Sequence, residues 1–222
     1  MGRYSRILEL SSFSEKKLEI LKNKKILIVG AGGLGQHVST YLVTNGVEHI
    51  TICDFDVAEM SNLNRQILMT EKHMGEPKVD VVKKQLQKRN GEAHIESLYA
   101  KIDKTNVEKT ISGFDVVVDA VDNWPTKLLL SEACHKHKIL FLHIGVDGGS
   151  GQYCLFKEKS LEDVVGNDII SEPRDGVLGP MVGLLASLAS LHLIRHLVGD
   201  NNLVDTLYSY NESNNEIVKI KL

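Results

Sequence analysis

The run Lys25-Ile-Leu-Ile-Val29, followed at once by Gly30-Ala-Gly-Gly-Leu-Gly35, constrains the fold of this chain most. A compact, β-branched apolar run bounded by glycine predicts a strand buried on both faces. The glycine segment leads into a helix that runs to about Asn45, with Gly46 as its stop. His49 to Cys53 predicts a second strand ending at Asp54. Together these make one βαβ unit. Gly30, Gly32 and Gly35 fit G-x-G-x-x-G between strand and helix, with Gly33 inside the same loop. Such a loop lets the backbone approach a phosphate, and the helix N-terminus adds positive potential. Asp54 stands where an acid that binds a ribose belongs. A structural tight turn is the alternative reading, and a nicotinamide dehydrogenase would show the same loop.

The remaining pattern continues in the same way. A short amphipathic helix is predicted over residues 12–22, and residues 59–76 read as a loop with short helical turns. A helix starts at Pro77 and runs to about Asn90. Strands are predicted at His94 to Leu98, Asp115 to Val118, Ile139 to Ile144 and Gln152 to Phe156, with a helix from Asn123 to Lys138. An apolar helix from about Val177 to Leu197 and a hairpin around Asn214-Asn215 close the chain. Alternating strands and helices predict a Rossmann-like α/β domain. It is a doubly wound, mostly parallel sheet with helices on both faces and a small C-terminal β extension. The expected organisation is one domain over residues 1–222. It comprises a helical arm (1–23), a nucleotide-binding core (24–156), a covering loop (157–175), and a buried helix with its closing hairpin (176–222).

Composition excludes several classes. A net charge of −3 argues against a nonspecific nucleic-acid binder. The three cysteines, Cys53, Cys134 and Cys154, are odd in number and far apart, which is not a disulfide framework. Without a Cys-x-x-Cys pair, structural zinc is not expected. The N-terminal residues are polar and charged, unlike a signal peptide. The apolar stretch from Val177 to Leu193 is broken by Pro180 and Gly183 and reads as a buried helix rather than a membrane span. The expected setting is cytoplasmic.

A second cluster gives the loop its meaning. Ser61-Asn-Leu-Asn-Arg-Gln66 follows Asp54, Lys78 opens a helix, and Asp119-Ala-Val-Asp-Asn123 follows a strand at the C-terminal edge of the sheet. In doubly wound sheets that edge is where ligands bind. Asn62, Arg65, Gln66, Lys78, Asp122 and Asn123 can therefore converge on the glycine loop. Triphosphate chemistry uses this mixture. Arg and Lys offset charge on the phosphates, Arg as a bidentate fork, and an Asp can hold Mg²⁺ through a hard oxygen. Singly, each residue reads as a surface group, and Asp122 as the N-cap of the following helix.

In this order the motifs resemble the ThiF/MoeB/HesA family, the bacterial relatives of ubiquitin-activating enzymes. The resemblance begins at Arg3-Tyr-Ser-Arg6 and runs through the glycine loop, Cys53-Asp-Phe-Asp56, residues 61–66, Gly75-Glu-Pro-Lys78 and residues 119–123. It reaches Gly176-Val-Leu-Gly-Pro180 and the final Ile220-Lys-Leu222. What it implies is an ATP-dependent adenylyltransferase that converts the C-terminal carboxylate of a small ubiquitin-like carrier, ending in Gly-Gly, into an acyl-adenylate with release of pyrophosphate. Gly33 and its neighbours would contact ATP, Asp54 the ribose, and Asn62, Arg65, Gln66 and Lys78 the phosphates. Asp122 would position Mg²⁺ with Asn123 beside it. Arg6 matches an arginine that reaches the partner subunit's site, which implies a homodimer. Arg65, Lys78, Asp122 and Arg6 are then the expected catalytic set, in thiamin- or molybdopterin-type sulfur transfer.

Two departures stand out. The family's two Cys-x-x-Cys pairs are missing, and Glu172 occupies the position where many members carry a cysteine. Adenylation is expected, but not a thioester step on this chain. Other substrates for the same chemistry are a peptide natural-product precursor or a tRNA carbonyl. Only about 23 residues precede the first strand, which disfavours a peptide-recognition extension. An NAD-dependent oxidoreductase is disfavoured by the Arg65, Lys78 and Asp122 set. A catalytically silent scaffold is disfavoured because the matched phosphate positions are all present.

Overall fold

The computed structural model describes residues 2–166 and 176–222. Two short helices come first, α1 (Ser5–Leu8) and α2 (Glu15–Lys22). The Ser14 hydroxyl caps α2 by accepting from the Lys17 N–H at 3.3 Å. There follow β1 (Lys25–Val29), α3 (Gly33–Thr44), β2 (His49–Asp54), α4 (Lys78–Arg89) and β3 (His94–Tyr99). Next come α5 (Val107–Ile111), β4 (Val116–Asp119), α6 (Trp124–His137), β5 (Leu140–Asp147) and β6 (Ser150–Phe156). The chain ends with α7 (Glu162–Val165), α8 (Gly179–Leu197), β7 (Thr206–Asn211) and β8 (Glu216–Lys221).

All eight strands form one sheet in the order β3-β2-β1-β4-β5-β6-β7-β8. The pairings from β3 to β5 are parallel and those from β5 to β8 antiparallel. The expected closing hairpin, β7 and β8, therefore joins the same sheet through β6 as its antiparallel continuation. Strand β5 also runs on to Asp147 and meets β6 earlier than the apolar pattern indicates. The reason is the Gly148-Gly149 turn, with Gly148 at φ +52, which pairs Asp147 with Ser150 in a tight hairpin.

Alternating side chains put a core on each face. Ile26 and Ile28 pack with Leu42 of α3 and Leu185 of α8, whereas Leu27 and Val29 pack with Leu130 and Cys134 of α6. Helix α8 has the length and apolarity to cross a bilayer, yet Leu185, Ala186, Ala189 and Leu193 are fully buried against the rest of the fold. All three cysteines are buried, and desolvation pushes each thiol up to about 12. They are core groups rather than nucleophiles. Of the expected covering loop, residues 167–175, including Glu172, lie outside the described residues.

Candidate active site

The sheet order reverses between β1 and β4, and a crevice opens at their C-terminal ends, as doubly wound sheets require. Val29 pairs with Cys53 on one side and Asp119 on the other, and Asp119 pairs with His143. Residues of four neighbouring strands thus stand in one row beneath the crevice. The glycine loop rises from this row. Gly30 has φ +104, and a Cβ there would stand 2.4 Å from the Ala120 carbonyl oxygen, so the two strands could not approach. A Cβ on Gly35 would stand 1.8 Å from the Gly30 oxygen. Gly35 therefore packs helix against loop and does not line the crevice, whereas Gly30, Gly32 and Gly33 do. Among the described residues no side chain caps α3 at Gly32, so its first-turn N–H groups face the crevice as anion donors.

The crevice is a cavity of about 1030 Å³. Asp54, Asn62, Arg65, Gln66, Lys78, Asp122 and Asn123 all line it, from segments up to 69 residues apart in sequence (Asp54 to Asn123). Asp54 accepts from the Ala31 N–H at 2.6 Å and the Asp56 N–H at 2.8 Å. Burial raises its carboxyl above the ordinary value, against the lowering pull of these bonds and the Lys78 charge. Lys78 is 7% exposed, and its Nζ lies 2.9 Å from Asp56 Oδ2. Arg65 donates to the Ser61 carbonyl at 3.0 Å and to Asn64 Oδ1 at 2.8 Å, which holds its guanidinium at the rim. Gln66 is braced by Gln36, whose carboxamide also donates to the Ala31 carbonyl and accepts from the Leu68 N–H. The loop bearing Arg65 is thereby tied to the glycine loop.

Asp122 is not the helix cap. Asn123 holds that position, with Oδ1 accepting from the Thr126 N–H at 3.0 Å. Asp122 stands one residue before that cap, on the cavity wall. Arg6 lies elsewhere: its side chain is 80% exposed and pairs with Glu9 at 2.8 Å on α1.

The structure also adds residues the pattern did not single out. Asp56, two positions after Asp54, holds Lys78. Beneath the cavity Lys127 Nζ lies 3.1 and 3.0 Å from the two oxygens of the fully buried Asp119, and 2.9 Å from the Ile144 carbonyl. His143 Nδ1 lies 2.8 Å from Asp119 Oδ2, and its ring is also fully buried. Burial would raise Asp119, but the Lys127 charge and the His143 bond outweigh it and hold the carboxyl below its ordinary value. Burial, aided by Lys127, holds His143 below the ordinary imidazole range. Trp124 lines the cavity and stacks on His143 at 6.2 Å. The legible signals were position alone: His143 lies in the strand predicted next to that of Asp119, and Lys127 lies four residues after Asn123.

Residues 4–222 match the sequence model of the ThiF family. A molybdopterin-synthase adenylyltransferase of Haemophilus influenzae is 32% identical, over 99% of this chain and 94% of that protein. The Escherichia coli protein of the same name is 31% identical, over 90% and 83%. An adenylyltransferase and sulfurtransferase MOCS3 of Culex quinquefasciatus is 33% identical over 92% of this chain, which spans only 48% of that longer protein. In three dimensions the chain superposes on a crystal structure of E. coli MccB with MccA-N7isoASN, with a TM-score of 0.89 and 23% identity. That match covers 99% of this chain and 71% of the MccB chain.

Proposed function

The chain belongs to the ThiF family, and we propose that it is an adenylyltransferase that activates the C-terminal carboxylate of a small ubiquitin-like carrier with ATP. One observation carries this reading: Arg65 and Lys78, with Asn62, Gln66 and Asp122, share a single cavity with the uncapped N-terminus of α3. Hydride transfer has no use for that concentration of phosphate ligands. The relatives named molybdopterin-synthase adenylyltransferase support the same chemistry.

The reaction follows from the wall. The α3 N-terminus and Gly33 cradle phosphate, and Asp54 receives the ribose hydroxyls. Arg65 and Lys78, with Asn62 and Gln66, hold the β- and γ-phosphates. The carrier's carboxylate attacks the α-phosphorus, an acyl–phosphate bond forms, and the bond to pyrophosphate breaks. The two cations are preorganised for the charge that builds on the departing pyrophosphate. The chain's main contribution is alignment of the two reactants.

Mg²⁺ fits this donor set in one way. Among the described residues no three His, Cys, Asp or Glu side chains converge on a point. An ion held by Asp122, with phosphate oxygens and water as its other ligands, matches the chemistry of Mg²⁺. When bound, it would offset phosphate charge. Asn123, spent partly as a cap, lies beside Asp122 on the cavity wall.

In our reading two chains form a homodimer, with Arg6 reaching the partner's cavity, which accounts for an arginine outside its own site. We assign the reaction to a cytoplasmic sulfur-transfer pathway of the thiamin or molybdopterin type. ATP–pyrophosphate exchange with Mg²⁺, with and without a Gly-Gly carrier, tests the proposal. Exchange that needs the carrier's intact C-terminus is the expected result. Nucleotide binding without exchange on any Gly-Gly carrier would redirect the substrate to a peptide or a tRNA.

A further inference from the structure

The cavity, about 1030 Å³, stands at the top of the range of about 300–1,000 Å³ typical of one drug-sized ligand. Its lining falls into two parts by residue chemistry. One end is the glycine loop, Asp54 and the phosphate ligands. The other is a strip of bare sheet in which Gly145 of β5, Gln152 of β6 and Ser209 of β7 stand directly opposite one another. Nucleotide binding makes no use of this second end.

We infer that Gln152 is the residue that positions the acyl chain, and that the Asp119–His143 pair fixes its carboxamide for that task. This rests on the adenylation reading above. The His143 ring has one nitrogen at a carboxylate, which accepts only, so Nδ1 carries the proton and donates to Asp119 Oδ2. Nε2 is then a bare acceptor. It faces Gln152 Nε2 at 3.5 Å, a long contact with no side chain on the intervening Gly145. A bare ring nitrogen can face only the amino side of the carboxamide, so Gln152 Oε1 is turned the other way. It is thereby set to accept from a peptide N–H lying along the strip. Burial keeps the ring neutral through the neutral pH range, so this orientation does not change there.

The strip also selects its occupant. Gly145 leaves the sheet backbone open beside Gln152, and Ser209 adds only a hydroxyl. An extended chain end with no side chains of its own, such as a glycine dipeptide, lies flat on such a surface. Its terminal peptide N–H would then reach Gln152 Oε1 while its carboxylate faces the nucleotide.

The test compares two stable probes by titration calorimetry: 5′-O-sulfamoyladenosine, and the same molecule acylated with glycylglycine as a mimic of the acyl-adenylate. The wild-type chain should bind the acylated probe at least tenfold more tightly. Gln152→Ala should remove most of that gain while leaving sulfamoyladenosine affinity within twofold. His143→Phe, similar in volume but without ring nitrogens, should remove part of the gain. A role in folding alone would weaken both probes together. Gain retained in Gln152→Ala, equal loss for both probes, or no gain in the wild type overturns the inference while leaving adenylation standing. Failure of the wild type to bind either probe overturns the adenylation reading, and this one with it.

Discussion

Lys127 Nζ bridges both oxygens of Asp119, at 3.1 and 3.0 Å, and neither side chain is exposed by more than 5%. Asp119 Oδ1 also accepts from the Val121 N–H at 3.2 Å, and Lys127 reaches across to the Ile144 carbonyl. The pair therefore pins the turn that presents Asp122 to strand β5. A buried ion pair is retained at a cost in desolvation, so its value here is placement of that turn.

Removing one partner should be expensive. Lys127→Met leaves a buried carboxylate with only His143 and the Val121 N–H, and a loss of about 3–5 kcal/mol is expected. Asp119→Leu combined with Lys127→Met should lose less than the single change, because no uncompensated charge remains. Urea unfolding midpoints report both, and an unchanged midpoint for Lys127→Met would refute the clamp.

The same cluster makes stability pH-dependent with a defined sign. His143 titrates below its unfolded value, so the unfolded chain binds more protons as pH falls through about 6.5, and stability declines from there. Asp119 is also depressed, so its contribution is present above the unfolded carboxylate value and is lost as pH falls through the lower folded one. His143→Phe should flatten the slope between about pH 5 and 7. A residual slope should remain from His192 and His196, whose values burial also lowers. An unaltered slope in the variant would show that His143 is not buried neutral.

Asp54→Ala should weaken nucleotide binding. Hydrogen bonds to an ionised group contribute about 1.5–3 kcal/mol, so AMP affinity should fall roughly ten- to a hundredfold. Because burial raises the Asp54 carboxyl, the wild-type affinity should begin to fall with acidification above the ordinary aspartate range. Calorimetry across pH tests both expectations.

Among the described residues the Arg65 guanidinium donates to the Ser61 carbonyl and Asn64 in its own loop, so Arg65→Ala should leave the circular dichroism spectrum unchanged. Loss of a charge-stabilising group should lower pyrophosphate exchange about 10²–10³-fold. Exchange at the wild-type rate would remove Arg65 from the site.

Two neighbouring glycines should behave oppositely. Gly35→Ala forces a Cβ into the Gly30 carbonyl and should cost about 3 kcal/mol. Among the described residues a Gly32→Ala Cβ meets nothing closer than Gln66 Nε2 at 3.9 Å, so the variant should fold normally, yet crowd a phosphate. Thermal midpoints and AMP titrations of the two variants separate a packing glycine from a binding one.

Much of this molecule is local in sequence. The strand–glycine–helix unit, Asp54 at the end of β2, and the motif around Arg65 were legible because period, turn chemistry and spacing act over a few residues. Boundaries held within a residue at Gly46 and Pro77, but α2 starts at Glu15 after its Ser14 cap rather than at residue 12, and α8 starts at Gly179 rather than Val177. The β5–β6 hairpin was less legible, because β5 continues past its apolar run into Gly-Val-Asp. The cap of α6 was ambiguous because Asp122 and Asn123 are both good capping residues.

The sequence alone determined the βαβ scaffold, the glycine loop and the polar motif at residues 61–66. Each of these is written in contiguous residues whose chemistry is nearly independent of context. Only the tertiary structure decided that Asp119, Lys127 and His143 form one buried cluster, that Gln152 faces it across Gly145, and that Arg6 lies outside its own cavity. Those relationships depend on strand register and on which helix covers which face, and both are set by the packing of segments distant in the chain.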